Sequence, residues 1–166
     1  MKKILKTLID YSLFEKYDKD YFINNKILPL FENDISIKMA VCKNSKLETI
    51  KNDFNKVISF LEIDELELLF MISHIDQKTL LYSIALKAIS QNSFEKYVDK
   101  FLQELLSFSI NLRASDIHIE QYKDVILFKF RIDGRLKTFF AFCSEFFKLI
   151  SSYIKLISTL DMTQIR

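Results

Sequence analysis

The sequence predicts an α+β fold made of two small domains. Stretches with alternating apolar residues, which are typical of strands, occur between stretches with apolar residues three and four apart, which are typical of helices. These patterns follow one another as strand, strand, helix, strand, helix, helix, and then as helix, two or three strands, helix. A polar segment at residues 91–95 separates the two series. We therefore predict a first domain at residues 1–90, a linker at 91–95 and a second domain at 96–166.

The first half of the chain has recognisable strand and helix signals. One or two helices are predicted within residues 1–25, before the strands. Pro29, the only proline, lacks an N–H group and so places its strand at a sheet edge or a strand end. Asn33 and Asp34 predict a turn. The predicted strands are 26–31, 35–42 and 56–63, and the predicted helices are 44–54, 64–72 and, after a break at 74–78, a helix through Ser90.

The second half is predicted to be a helix, an antiparallel sheet and a helix. A long amphipathic helix runs from Phe94 to Leu112. Two strands follow, Asp116 to Glu120 and Val125 to Asp133. Ser144 caps a last helix that extends to Leu160.

The two strands predict a hairpin with one apolar and one polar face. Pairing Glu120 with Val125 brings His118 opposite Leu127, and this register places apolar residues opposite one another. We also predict a three-residue loop from Asp133 to Arg135, which keeps Leu136, Phe140 and Phe142 on the apolar face. The predicted polar face carries Asp116, His118, Glu120, Lys129, Arg131 and Asp133.

Three interpretations of this polar face are open from chemistry alone. The simplest is a solvated sheet face with ion pairs between strands. A metal site is disfavoured, because three side chains on one face of a strand rarely converge on one ion. The third is a basic face that meets phosphate, for which arginine offers a planar fork of donors. Its basic residues are Arg113, Lys129, Arg131 and Arg135.

Composition excludes several classes of function. The formal net charge is only +2, so no nucleic-acid partner is predicted. Two well-separated cysteines favour reduced thiols in the cytoplasm. No apolar stretch approaches the ~20 residues of a membrane helix, so no direct membrane insertion is expected. Gly134 is the only glycine, whereas a phosphate loop G-x-x-x-x-G-K-[ST] needs two. With only two histidines and no triad or metal cluster, we expect no catalytic activity of this chain.

Three strings in the second half resemble a known family. They are ASDIHIE at 114–120, RIDG at 131–134 and SSYIKLISTLDMTQIR at 151–166. Together they resemble the second N-terminal domain of the type II secretion and type IV pilus assembly ATPases, and the segment leading to their ATPase domain. The first 90 residues resemble the first N-terminal domain of that family more faintly.

The resemblance implies a fold, a site and partners. The second domain would be PAS-like, and Arg113, Lys129 and Arg131 match family arginines that reach nucleotide phosphates, although Lys129 lacks the arginine fork. The first domain would dock onto the inner-membrane platform protein, which makes the chain cytoplasmic and peripheral to the membrane. ATP, Mg²⁺ and a hexamer are expected of a full-length protein with its own ATPase domain. The alternative is a stand-alone PAS-like module that senses a ligand or acts as an adaptor.

Overall fold

The computed structural model describes residues 9–47, 50, 54–91 and 94–158. The chain divides into two compact units, Met1–Thr79 and Leu80–Arg166. Each unit contains helices and a three-stranded sheet, so the predicted α+β class is confirmed. The finer division into domains 1–90 and 96–166 with a linker stays a prediction.

The first unit begins with two short helices and a mixed sheet. Helix α1 is Leu13–Lys16 and helix α2 is Lys19–Asn25. The strands are β1 Ile27–Glu32, β2 Ser36–Val41 and β3 Val57–Glu62, in the order β1-β2-β3. β1 pairs antiparallel with β2, and β3 pairs parallel with β2. β1 is thus an edge strand, as its proline predicts. Of the helix predicted at 44–54, residues 48, 49 and 51–53 lie outside the described residues; Ile50 is helical, whereas 44–47 and Phe54 are not.

Two more helices follow β3. α3 is Glu65–Ile72, and the carboxylate of Asp64 caps it by accepting hydrogen bonds from the N–H groups of Leu66 and Glu67. α4 is Ile75–Ser90. The break between them is shorter than predicted, because His74 adopts a positive φ of 59° and turns the chain within about one residue.

The second unit contains the predicted helix, antiparallel sheet and helix. α5 is Phe94–Asn111, and α6 is Glu145–Ile157. The sheet consists of β4 Asp116–Gln121, β5 Val125–Ile132 and β6 Arg135–Cys143, in the order β4-β5-β6. Ser144 precedes α6, but its side chain makes no capping hydrogen bond, so that detail of the prediction was wrong.

Phenylalanines form the core between this sheet and its helices. Phe101 of α5 is fully buried. Its ring centroid lies 5.1 Å from that of Phe128 in β5 and 4.8 Å from that of Phe146 in α6. Such tilted and edge-on contacts add to the free energy gained by burying apolar area. This core fixes which side of the sheet the helices cover.

The predicted register of the β4–β5 hairpin was wrong by two residues. Glu120 lies opposite Leu127, and His118 lies opposite Lys129. The cause is a tight connection, in which the N–H of Tyr122 donates to the carbonyl of Val125 at 2.7 Å, so that these two residues face each other across the turn. Because side chains alternate every residue, a shift by an even number leaves each one on its predicted face.

The predicted loop at Gly134 was also wrong. Ile132 pairs with Arg135, which leaves a two-residue turn. Asp133 and Gly134 both have positive φ, 51° and 73°, as a type I′ hairpin turn requires. Leu136 therefore pairs with Arg131, on the polar face rather than the apolar one.

A β-bulge in β6 corrects the alternation beyond this turn. Lys129 pairs with Thr138 while Phe128 pairs with Phe140, so Phe139 is the extra residue. Phe139 and Phe140 are both buried. The bulge thus places Phe140 and Phe142 on the predicted apolar face, opposite Phe128 and Ile126.

Candidate functional site

The polar face of the β4–β5 hairpin contains two of the three predicted site residues. Asp116 lies opposite Arg131, and His118 lies opposite Lys129. These four side chains are only partly buried. The sheet thus brings Lys129 and Arg131 together on one face, because residues two apart on a strand point to the same side.

Arg131 forms a close ion pair with Asp116. Its Nε lies 3.0 Å from Oδ2 and 3.3 Å from Oδ1 of that carboxylate. The hydroxyl of Ser115 donates to the same carboxylate at 2.7 Å. The pKa of Asp116 is lowered, first by the Ser115 hydrogen bond and then by His118 and the charge of Arg131. Asp116 is therefore an ionised acceptor at neutral pH.

Lys129 forms the second ion pair of this face. Its Nζ donates to Oε2 of Glu120 at 2.6 Å and lies 5.8 Å from the ring centroid of Tyr122. The Tyr122 hydroxyl donates to the same carboxylate at 2.8 Å. Partial burial opposes the charge on Lys129, but the bond and charge of Glu120 outweigh this effect and raise its pKa. Lys129 is charged at neutral pH.

Arg113, the third predicted site residue, lies at the end of α5 before β4. It is exposed, with a positive φ of 54°, and its N–H donates to the carbonyl of Ile110. Two residues later, the N–H of Ser115 donates to the carbonyl of Arg131 at 2.9 Å, which ties the start of β4 to β5. Within the described part of the chain, the Arg113 side chain makes no ion pair.

The two cations that β5 contributes to this face, Lys129 and Arg131, therefore each have a carboxylate partner. Asp116 and Glu120 balance Arg131 and Lys129, which corresponds to the solvated face with ion pairs considered above. Tyr122 contacts both members of one pair but was not among the predicted site residues. Its position in a tight turn next to a charged strand was the available signal.

The described residues contain no group of three His, Cys, Asp or Glu side chains placed to hold a metal ion. Among these same residues, no helix is both long and apolar enough to cross a bilayer.

The part of the chain that carries this polar face is similar to known proteins. Residues 90–166 match the family described as "Type II/IV secretion system protein". This part of the chain resembles the secretion ATPases. The resemblance inferred from the three strings is thus confirmed here, while residues 1–89 lie outside the match.

Individual secretion proteins agree with the family match. The chain is 38% identical over 69 residues to the putative type II secretion system protein E of Escherichia coli (strain K12), covering 42% of the chain and 14% of that protein. It is 36% identical over 67 residues to the type II secretion system protein E of Aeromonas hydrophila, covering 40% of the chain and 13% of that protein.

A third relative is named as an ATPase. The type II secretion system ATPase E of Vibrio cholerae is 33% identical over 67 residues, which cover 40% of the chain and 13% of that protein. The chain thus spans about one seventh of the length of the curated relatives it matches. The similarity thus relates the second half of the chain to one part of these secretion-system proteins.

Proposed function

We propose that the chain is a non-catalytic N-terminal part of a secretion-system ATPase, acting in type II secretion, in type IV pilus assembly or in DNA uptake. In this proposal the polar face of the second unit meets the nucleotide phosphates held by an ATPase domain. The observation that carries it is the family match at residues 90–166, combined with Lys129 and Arg131 side by side on one partly exposed face.

The ion pairs of this face suit such a role. Asp116 holds the guanidinium of Arg131 in place while no phosphate is present. A half-exposed pair of this kind contributes only about 0–1 kcal/mol, so a phosphate, with more charge and more acceptor oxygens, replaces the carboxylate at small cost. Arg131, Lys129 and Arg113 would then offset the negative charge that develops during phosphoryl transfer.

The remaining roles are assigned to other parts of the assembly. The first unit would dock onto the inner-membrane platform protein and hold the chain at the cytoplasmic side of the membrane. ATP and Mg²⁺ would bind to the ATPase domain, because this sequence has one glycine and no phosphate loop. The assembly would be a hexamer. The support for these roles is the resemblance to the secretion ATPases.

The test is the ATPase activity of the protein that combines this chain with its ATPase domain. Replacing Arg131→Ala should lower kcat about tenfold or more, since charge stabilisation in the transition state would be lost. Arg113→Ala should lower it as well. Lys123→Ala, which removes an exposed cation from the turn of the same hairpin, is the matched control and should leave kcat unchanged. Equal activities in all three variants would refute the phosphate role.

The purified chain alone should show no ATP hydrolysis above a blank, because it has no phosphate loop. Release of inorganic phosphate is the measurement. The proposal would be contradicted if the purified chain hydrolysed ATP and if mutations in this chain abolished that activity.

A stand-alone PAS-like module that senses a ligand or acts as an adaptor is the competing function. The two differ in whether an ATPase domain is required. If Arg131→Ala still changed the phenotype of cells that lack any ATPase domain for this chain, the stand-alone module would be favoured.

A further inference from the structure

One nitrogen atom on the polar face has two neighbours that make opposite demands on it. Nε2 of His118 contacts Oδ1 of Asp116, and it lies 3.3 Å from Nη2 of Arg131. An ionised carboxylate only accepts hydrogen bonds, and a guanidinium only donates them. Nε2 therefore bonds Asp116 only when it carries a hydrogen, and bonds Arg131 only when it carries a lone pair.

The partner of Nε2 depends on whether this atom carries a hydrogen, and therefore on the tautomer of the imidazole as well as on its charge. When both ring nitrogens carry hydrogen, Nε2–H donates to Asp116, and Nη2 of Arg131 loses its acceptor. When the hydrogen is on Nδ1 alone, Nε2 accepts from Nη2. In both states Nε of Arg131 still donates to Asp116, so only the outer end of the guanidinium is released.

We propose that neutral His118 carries its hydrogen on Nδ1 and accepts from Nη2 of Arg131, so that protonation of His118 releases this terminal nitrogen from the sheet and turns it toward an anion in solution. His118 is in this sense a positioning residue for Arg131. The arrangement is a property of these three side chains and stands apart from the proposed function. Only its use toward nucleotide phosphate rests on that function.

The added charge of a protonated His118 favours anion binding, as does the release of the Arg131 terminal nitrogen. The charged groups that face His118 are Asp116 and Glu120 on its own strand and Lys129 and Arg131 on the neighbouring strand. Their formal charges sum to zero. Protonation of the imidazole gives the cluster a net charge of about +1. Anion affinity should therefore rise as the pH falls.

The test uses the complete 166-residue chain with ¹⁵N-labelled histidine and arginine, followed by NMR. Sulfate is the probe, because its charge is constant over the range in which histidine titrates. The Nη signals of Arg131 should shift with the same midpoint as the ring nitrogens of His118. Sulfate should bind about fivefold more tightly with His118 protonated, as expected for one added charge at close range.

Two variants separate this device from a general effect of pH. His118→Phe should abolish the pH dependence of sulfate binding. His74→Asn is the matched control, because it removes the other histidine and asparagine tolerates its positive φ. This control should retain the pH dependence.

The proposal is overturned if the Arg131 signals stay constant while His118 titrates, or if His118→Phe keeps the pH dependence. Should His118→Phe fail to fold, the titration of the unaltered chain decides the matter alone. Because no ATPase domain is involved, failure of the phosphate role in catalysis would leave this result unchanged.

Discussion

Acidic side chains pair with basic ones in both units, but solvent reaches them to different extents. The side chain of Glu32 in the first unit is 6% exposed, whereas that of Asp116 in the second is 40% exposed. Glu32 bonds Lys16, Tyr17 and Lys56, the last at 2.9 Å. Water can replace the partner of an exposed carboxylate but not those of a buried one. The first arrangement therefore fixes a fold, and the second leaves the half-exposed Arg131 available for exchange.

The pKa of Glu32 reflects this environment. Burial by itself opposes the charged form, but hydrogen bonds from Lys16, Tyr17 and Lys56 outweigh it and lower the pKa to about 2. The bonds join α1 and the residue before β3 to the end of β1. Removing this carboxylate should therefore affect three elements at once.

The largest effect is expected at Lys78, a buried lysine of the first unit. Its Nζ donates to the carbonyls of Phe70 and Met71 at 3.0 and 2.9 Å, and burial lowers its pKa to about 7. The unfolded chain binds this proton more tightly, so the free energy of unfolding should fall as the pH is lowered from about 9 to 7, by about 1 kcal/mol per pH unit. Lys78→Met should remove this slope.

Chemical denaturation at several pH values measures the effect of Lys78→Met. Lys87→Met, at an exposed position of the same helix, is the control and should keep the slope of the unaltered chain. Parallel pH profiles of the Lys78→Met variant and the unaltered chain would contradict the prediction.

The next largest effect is expected for Glu32→Gln. It should lower the free energy of unfolding at neutral pH by about 2–3 kcal/mol, because two lysines lose their buried counter-charge. Since the folded pKa is depressed, the contribution of Glu32 is present above about pH 4.5 and is lost as the pH falls toward 2. Urea denaturation is the measurement. Glu62→Gln, at an exposed strand end, should change stability little, and equal losses in both variants would refute the role of Glu32.

A smaller loss is expected at the turn of the second hairpin. Gly134→Ala should cost about 1–2 kcal/mol, because its φ of 73° is unfavourable for residues with a β-carbon. No atom beyond its chain neighbours lies within 4 Å of an added β-carbon, so backbone strain alone is measured. Asp133→Asn should be nearly neutral in thermal denaturation, since asparagine tolerates positive φ. A neutral Gly134→Ala would argue against the two-residue turn.

The smallest effect is expected for the exposed pair of the second unit. Arg131→Met should lower the free energy of unfolding by less than about 1 kcal/mol, far less than Glu32→Gln. A double-mutant cycle with Asp116→Asn measures the coupling between the two side chains. If the coupling free energy between Arg131 and Asp116 were as large as the stability lost in Glu32→Gln, the exposed pair would be as strong as the buried one. That result would argue against the proposed exchange of Asp116 for phosphate.

Local patterns predicted most elements of the fold. Asp64 before an apolar stretch predicted the start of α3, and its carboxylate makes the expected capping bonds. Alternation along Asp116–Gln121 and Val125–Ile132 predicted both strands and their faces. Such features depend on neighbours within a few residues, so the sequence displays them directly.

The pairing of strands was less predictable. The register depended on the tight connection at Tyr122, and the face of Phe140 depended on the bulge at Phe139. Neither has a strong sequence signal, because turns of different length cost similar free energies and packing chooses among them. The candidate site likewise combines predicted and unpredicted features: its basic residues were predicted, but the carboxylate partner of each was not.

The amino-acid sequence sufficed to predict the α+β class, the two faces of the hairpin, the absence of a phosphate loop and the resemblance to secretion ATPases. Each follows from residue types and short spacings. The carboxylate that neutralises each cation, and the place of His118 between Asp116 and Arg131, followed from the folded structure alone. Ion pairs form over a few ångströms, so a register shift of two residues changes every partner while leaving every face intact.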